Sequence, residues 1–285
     1  MLVPRSRFSR PPALALVLVR SLLRPALALA ALALLGAVPA RAIELIPHRA
    51  FYRLHLDLSE GGPSDVVSAD GGMAIEVRET CDGWITNQRL LLSVSRGDDE
   101  PVVSDNNFTS WESKDGLSYR FNVRDKINDD VSDALDGNAH LDKIGGAGLA
   151  SFTAPKRKDV ALPRGTLFPT AQVARLLEAA EGGSHLFVRG VFDGTAIEGP
   201  DLVSVAIGRA VPLASLPVLE AFRGHRTWPM RWAFFPAGDD SPLPDYELSV
   251  RMLDNGVVVA LGLIYEDFRV SGTIDRFIPL ERPKC

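Results

Sequence analysis

The chain has 285 residues, with 31 basic and 36 acidic side chains and a formal net charge of −5 at pH 7. Residues 1–42 contain six arginines and no acidic residue, so the remainder of the chain has a net charge of −11. Binding to nucleic acid or to anionic lipid depends on Lys and Arg side chains that neutralise phosphates. This charge excludes nucleic acid as a partner and argues against an anionic lipid surface.

The first 42 residues have the pattern of a cleavable secretion signal. An arginine-rich start precedes an uncharged stretch over 25–38, and Ala40-Arg41-Ala42 matches an A-x-A cleavage site. The uncharged stretch is shorter than the ~20 residues that a membrane helix needs, which leaves an uncleaved anchor as the alternative. We expect a periplasmic protein that begins at Ile43, forms a single β-rich domain over 43–285 and has no membrane span after cleavage.

Most of the remaining chain has the pattern of short antiparallel strands. Apolar and polar residues alternate, which is the period of a half-buried strand, and Gly, Asp and Asn occupy the gaps. Asp254-Asn255-Gly256 is the strongest hairpin signal. The predicted strands are 50–58, 72–77, 84–94, 107–113, 117–123, 185–191, 202–207, 228–235, 246–252, 257–265 and 268–274. They predict a mainly β fold, as a barrel-like or spiral antiparallel meander.

One amphipathic helix is predicted at about 170–181. Thr170 can cap its N-terminus, and Gly182-Gly183 ends it. Its apolar residues recur at helical spacing and are Val173, Leu176, Leu177 and Ala180. A single helix among many strands is expected to cover one face of the curved sheet.

The chain has no recognisable catalytic or cofactor-binding motif. Its five histidines are scattered, so we predict that the protein is not an enzyme and uses no cofactor, with an uncharacterised hydrolase as an alternative. Acidic residues cluster between Asn128 and Asp136, but they lack the spacing of a calcium-binding EF-hand loop. We interpret this stretch as a solvated acidic loop and predict no metal site.

Aromatic residues are the remaining candidates for a functional site. Large aromatic side chains most often belong to the core, but they can also line an apolar pocket that takes an acyl chain, a lipoprotein or a peptide. The functional interpretation predicts a ligand-sized apolar cavity between the helix and the sheet. The candidates for this pocket or core are Phe51, Phe187, Phe192, Trp228, Trp232 and Phe234.

Several short segments together resemble the EipB-like cell-envelope integrity family of periplasmic proteins. These segments are 46–54, 81–84, 111–116, 162–170 and 191–194, followed by the C-terminal Cys285. The resemblance covers nearly the whole chain after the leader, and it implies a spiral-like, broken β-barrel with a disulfide between Cys81 and Cys285. His48, Trp84, Phe192, Asp193 and Gly194 match the family pattern without an assigned role.

The residues alone also favour a bond between the two cysteines. They are the only cysteines in the chain, they lack metal-ligand spacing, and the leader indicates an oxidising compartment. An intermolecular disulfide and a redox-active pair remain alternatives at this point.

The predicted function is non-enzymatic support of the cell envelope. We expect the protein to bind a periplasmic protein partner or an apolar ligand in its concave sheet. A lipid or lipoprotein carrier with an apolar cavity is the main alternative, and a filled interior with an exposed interaction surface would favour a scaffold instead.

Overall fold

The structure, a computed structural model, describes residues 43–57, 64–213, 217–238 and 241–285. The predicted leader, residues 1–42, lies outside the described residues. Residues Ile43–Cys285 form one compact unit. Within the described residues, no helix is long and apolar enough to cross a membrane.

The described residues form one sheet of fifteen strands, one α-helix and one short 3-10 helix. The strands are β1 His48–Leu56, β2 Val66–Glu79, β3 Gly83–Arg96, β4 Val102–Ser113, β5 Ser118–Ile127, β6 Asp130–Leu141, β7 Gly148–Ala154, β8 Lys158–Leu162, β9 Leu186–Val191, β10 Asp201–Ile207, β11 Val211–Pro212, β12 Arg226–Phe235, β13 Tyr246–Leu253, β14 Val258–Ile264 and β15 Arg269–Pro279. Helix α1 is Pro169–Glu181, and the 3-10 helix is Pro217–Phe222. The predicted mainly β fold with one amphipathic helix is confirmed.

All neighbouring strands of the sheet pair antiparallel. Their order is β8-β7-β6-β5-β4-β3-β2-β1-β15-β14-β13-β12-β10-β9, and β11 pairs with β12 beside this path. The first and last strands of the chain are thus neighbours in the middle of the sheet, while β8 and β9 form its two ends. The sheet is not closed, so the architecture is that of a broken barrel.

Contacts between strand residues and loop residues bridge the break between β8 and β9. Leu167 forms an isolated bridge with Val191 at the end of β9. Lys158 at the start of β8 donates a hydrogen bond from Nζ to the carbonyl oxygen of Ile197, at 2.7 Å. The loops on either side of α1 and β9 therefore fasten the two ends of the sheet.

The sequence predicted a solvated loop for the acidic stretch. This prediction is wrong, because most of its residues belong to β6 and continue the sheet. Asn128 and Asp129 both have positive φ angles, 50° and 69°, and form a two-residue turn between β5 and β6. Asn and Asp adopt this conformation more readily than most residues, and it matches the twist of a hairpin. Strands β7 and β8, which the sequence pattern missed, extend the same half of the sheet.

Three buried clusters fill the inner face of the sheet. Alternation places Ala50, Tyr52 and Leu54 of β1 inward, and these residues belong to the first cluster. The second cluster lies on β5–β8 and includes Phe168 and Phe192 from outside the strands. The third packs α1 against β9, β10, β12 and β13. The core therefore follows the curve of the sheet.

Candidate functional site

The C-terminal tail lies beside the turn between β2 and β3. The sulfur atoms of Cys81 and Cys285 are 2.17 Å apart and their Cα atoms 5.7 Å apart, across a sequence separation of 204. Arg282 supports this position, because its guanidinium donates hydrogen bonds to Glu79 at 2.7 Å and to the carbonyl oxygen of Leu45 at 2.9 Å. The pair thus joins an early turn to the last residue of the chain.

Helix α1 is capped by Glu112, a buried residue of β4. Its carboxylate accepts hydrogen bonds from the backbone N–H groups of Thr170 at 2.7 Å and Ala171 at 2.8 Å. Burial raises the pKa of Glu112 to about 7, while these hydrogen bonds act in the opposite direction. The prediction that Thr170 caps the helix is wrong, because Phe168 occupies the N-cap position and makes no side-chain cap. The free N–H groups are satisfied by a distant carboxylate instead.

The segment after β9 reaches into the core of the other half of the sheet. The ring of Phe192 is buried in an edge-to-face contact with Phe121, at 5.6 Å between centroids. The hydroxyl of Tyr119 donates a hydrogen bond to the carbonyl oxygen of Asp193, at 3.0 Å. Gly194 has a φ of 82°, and a Cβ atom there would lie 2.3 Å from the ring of Phe121. The Phe192-Asp193-Gly194 sequence therefore has a structural role, and its third position requires glycine.

Three of the segments that resemble the EipB-like family meet where α1 and the end of β9 pack against β4 and β5. Segment 111–116 contributes Glu112, segment 162–170 leads into α1, and segment 191–194 contributes Phe192 and Gly194. Their common role is to dock α1 and the end of β9 onto β4 and β5. This contact between distant parts of the chain has no local sequence signal that could have revealed it.

The structure does not bring the six candidate aromatic residues together. Phe187, Trp228 and Trp232 are buried in the third cluster, with Phe234 partly buried beside them, whereas Phe192 belongs to the second cluster. Phe51 faces outward between the inward-facing Ala50 and Tyr52, and the guanidinium of Arg276 lies over its ring. The six residues are therefore core residues and one surface aromatic, and they do not line a shared pocket.

The interface between α1 and the sheet is filled by side chains. Leu176 and Leu177 are fully buried and belong to the same cluster as Val205 and Trp228. The cavity that we predicted between helix and sheet is therefore not found at that interface. Two clefts among the described residues lie away from α1, at strand ends along the same edge of the sheet.

The first, which we call the acidic cleft, is an open depression of about 550 Å³. Its lining includes Glu198, Asp201, Asp245 and Tyr246. Burial, together with the nearby carboxylates of Asp193, Asp245 and Glu198, raises the pKa of Asp201 to about 6. No group of three or more potential metal ligands converges within the described ranges of the chain.

The second, which we call the apolar cleft, has a volume of about 320 Å³. Strands β3 and β4 and the turn between β14 and β15 form it. Its lining residues are Leu92, Val94, Arg96, Asp99, Glu100, Val102, Ser104, Tyr265 and Phe268. No local sequence pattern reveals this site, because β15 and β14 lie three and four strands away from β3 across the sheet.

The histidines of the described chain do not form an organised catalytic set in either cleft. The Oγ of Ser118 lies 3.5 Å from Nδ1 of His140, but the two residues are directly opposite each other on β5 and β6 and are exposed. His225 lies 2.9 Å from Asp254 at another exposed position. Each contact is explained by surface pairing, and neither histidine lines the acidic or the apolar cleft.

The fold and the site define a broken antiparallel β-barrel that joins its C-terminus to an early turn and carries one packed helix. The EipB-like family model matches residues 39–281. The chain therefore belongs to the EipB-like family.

Two comparisons with Brucella abortus illustrate this relationship. The chain is 29% identical over 246 residues to the cell envelope integrity protein EipB of strain 2308, covering 84% of this chain and 86% of that protein. It is also similar to the crystal structure of a beta-barrel-like protein of domain of unknown function DUF1849. That likeness has a TM-score of 0.74 and 27% identity, and it covers 84% of this chain and 100% of the other.

Proposed function

We propose that this protein acts in the periplasm as a non-enzymatic binding protein that supports the integrity of the cell envelope. Membership of the EipB-like family carries this proposal, together with the similarity to a cell envelope integrity protein. The secretion-signal pattern supports the periplasmic location. The cysteine pair agrees with it, because disulfides persist in oxidising compartments.

The packing of the interior supports a binding surface rather than an internal carrier site. Leu176 and Leu177 fill the interface of α1 with the sheet, where an acyl chain would otherwise lie. The apolar cleft is open to the surface and is near the lower size limit for a small-ligand pocket. We therefore favour a protein partner over an enclosed lipid.

Deletion and complementation test the proposed function. A strain of the source bacterium that lacks the gene should become sensitive to detergents that challenge the envelope. The full chain should restore resistance, and a form without residues 1–42 should not. Normal resistance of the deletion strain, or full restoration by the form without the leader, would refute the proposal.

The non-enzymatic part of the proposal has its own test. We expect the double variant Ser118→Ala, His140→Ala to complement the deletion strain fully, because the two side chains form only an exposed cross-strand contact. Loss of complementation by a variant that is secreted and folded normally would favour the hydrolase alternative.

A further inference from the structure

The apolar cleft exposes aromatic and aliphatic side chains to water. Tyr265 and Phe268 stack with their ring centroids 4.4 Å apart and form one wall. Val94 and Val102, neighbours on β3 and β4, line the cleft from those strands. Val102 is 47% exposed and Tyr265 is 41% exposed. A rigid aromatic wall beside exposed aliphatic side chains is the kind of surface that binds an apolar anchor of a partner.

The rim of this cleft has an excess of negative charge. Its cation, Arg96, is neutralised within the protein, because it bonds to both Asp65 and Asp267. Across the described residues, no side chain pairs with the carboxylates of Asp99 or Glu100, which are exposed in the turn between β3 and β4. The charge therefore favours a positively charged occupant, and it opposes a fatty acid or an anionic phospholipid.

We propose that the apolar cleft docks an extended basic and apolar segment of a partner protein. An aliphatic or aromatic side chain of that segment lies beside Val102 and the Tyr265–Phe268 wall, and its Lys or Arg side chains face Asp99 and Glu100. The apolar anchor supplies most of the affinity, while the charges steer association and fix the orientation. This inference rests on the proposed function and specifies the chemistry of the partner.

Matched peptides test the chemistry of the cleft. The probes are a fluorescein-labelled peptide in which Lys alternates with Leu and Phe, a second with Glu in place of every Lys, and a third with Ser in place of every Leu and Phe. Binding to the full mature protein is measured by fluorescence anisotropy. We expect only the first peptide to bind, and its affinity should fall roughly tenfold or more when added salt shortens the Debye length to about 3 Å.

Two charge-reversal variants locate the binding surface. The double variant Asp99→Lys, Glu100→Lys should weaken binding of the first peptide by roughly tenfold or more, because it reverses both unpaired rim charges. The control variant Asp130→Lys, Asp133→Lys makes the same change in net charge at exposed positions of β6, outside the lining of the cleft. It should bind nearly as tightly as the unchanged protein. An equal loss in both variants would show non-specific attraction and overturn the proposal.

The apolar wall needs a separate variant. Tyr265→Ser removes the exposed ring, and it should weaken binding of the first peptide at least roughly tenfold while circular dichroism remains unchanged. Unchanged binding to this variant would overturn the proposal.

Competing occupants give different results. Displacement of the first peptide by laurate would assign the cleft to an acyl chain. Self-association that the Tyr265→Ser variant abolishes would assign the cleft to a second copy of the chain. Either result would overturn the proposed partner chemistry.

The docking proposal and the proposed function can fail independently. If no peptide binds while the full chain still restores detergent resistance, the docking proposal alone is refuted. If the full chain does not restore resistance, the proposed function is refuted whatever the peptides do.

Discussion

Glu112 joins β4 to the start of α1 through a single side chain. Its carboxylate belongs to β4, whereas both N–H groups that it accepts from belong to the first turn of α1. Replacing the usual local cap by a distant carboxylate makes the start of the helix depend on tertiary structure. The helix dipole favours a negative charge at this position, but burial of the carboxylate disfavours it.

We expect the Glu112→Gln variant to alter the pH dependence of stability. Burial raises the pKa of Glu112 to about 7 from a model-peptide value of 4.5. Between these values the folded protein binds a proton that the unfolded chain has lost, so the contribution of Glu112 to stability is greatest below pH 4.5 and is lost as the pH rises through 7. This decline, of up to about 3 kcal/mol, should be absent from the variant.

Urea unfolding of both proteins between about pH 4 and 8 measures this difference. Burial lowers the pKa of His48, which acts in the opposite direction, but that group is common to both proteins and cancels in the comparison. Parallel stability curves for the protein and its variant would contradict the prediction.

Gly194→Ala should destabilise the protein by about 2–4 kcal/mol. The cost has two sources, because the φ of 82° strains any residue with a Cβ and because that Cβ would overlap the ring of Phe121. Gly165 is the matched control, since it has a φ of 87° but nothing within 4 Å of an added Cβ. Gly165→Ala should cost only about 1 kcal/mol in urea unfolding. Equal losses would show that the contact with Phe121 contributes nothing.

At the scale of elements, the sheet depends on contacts between its first and last strands. β1 pairs with β15 and β2, and the tail after β15 returns to the turn between β2 and β3. Such long-range pairing is entropically costly to form, because nearly the whole folded chain must be closed into a loop. A covalent link at this point removes much of that freedom from the unfolded chain.

Cys285→Ser should therefore lower the free energy of unfolding by about 2–5 kcal/mol. The chain-entropy estimate for a link across 204 residues is about 5 kcal/mol. Urea unfolding with and without dithiothreitol measures the effect, and the reductant should bring the unchanged protein to the stability of the variant. A dimer band on non-reducing electrophoresis that disappears on reduction would show instead that the cysteines join two chains.

At the scale of the whole molecule, the break in the barrel is closed by loops rather than by strand pairing. Leu167 bridges to Val191 of β9, and Lys158 of β8 bonds to Ile197. In a closed barrel, a continuous ladder of strand hydrogen bonds would occupy this position. An open sheet can keep clefts at the ends of its strands, where side chains of several strands meet water. The acidic and apolar clefts both have this position.

The proposed export predicts the N-terminus of the protein in the periplasm. Protein recovered from the periplasm should begin at Ile43, because the A-x-A pattern ends at Ala42. Mass spectrometry of the intact protein measures the N-terminus and shows whether the two cysteines are oxidised. A recovered chain that retains residues 1–42 and remains with the membrane fraction would identify an uncleaved anchor instead.

The sequence by itself determined the features that depend on neighbouring residues. Alternation identified most strands, helical spacing identified α1, and Asp254-Asn255-Gly256 correctly marked the turn between β13 and β14. The same alternation could have placed Phe51 on the outer face, since its neighbours Ala50 and Tyr52 face inward. The strand β6 was missed because acidic residues obscured its period, although Asn128 and Asp129 are suitable hairpin residues.

Only the tertiary structure decided which distant residues meet. The cap of α1 by Glu112, the insertion of Phe192 among the rings of β5 and β7, and the meeting of Val94 with Phe268 at the apolar cleft all join separate segments. Local periodicity sets which face of a strand is apolar, but it contains no information on which strands the curve of the sheet brings together. Those contacts depend on the order and register of all the strands between them.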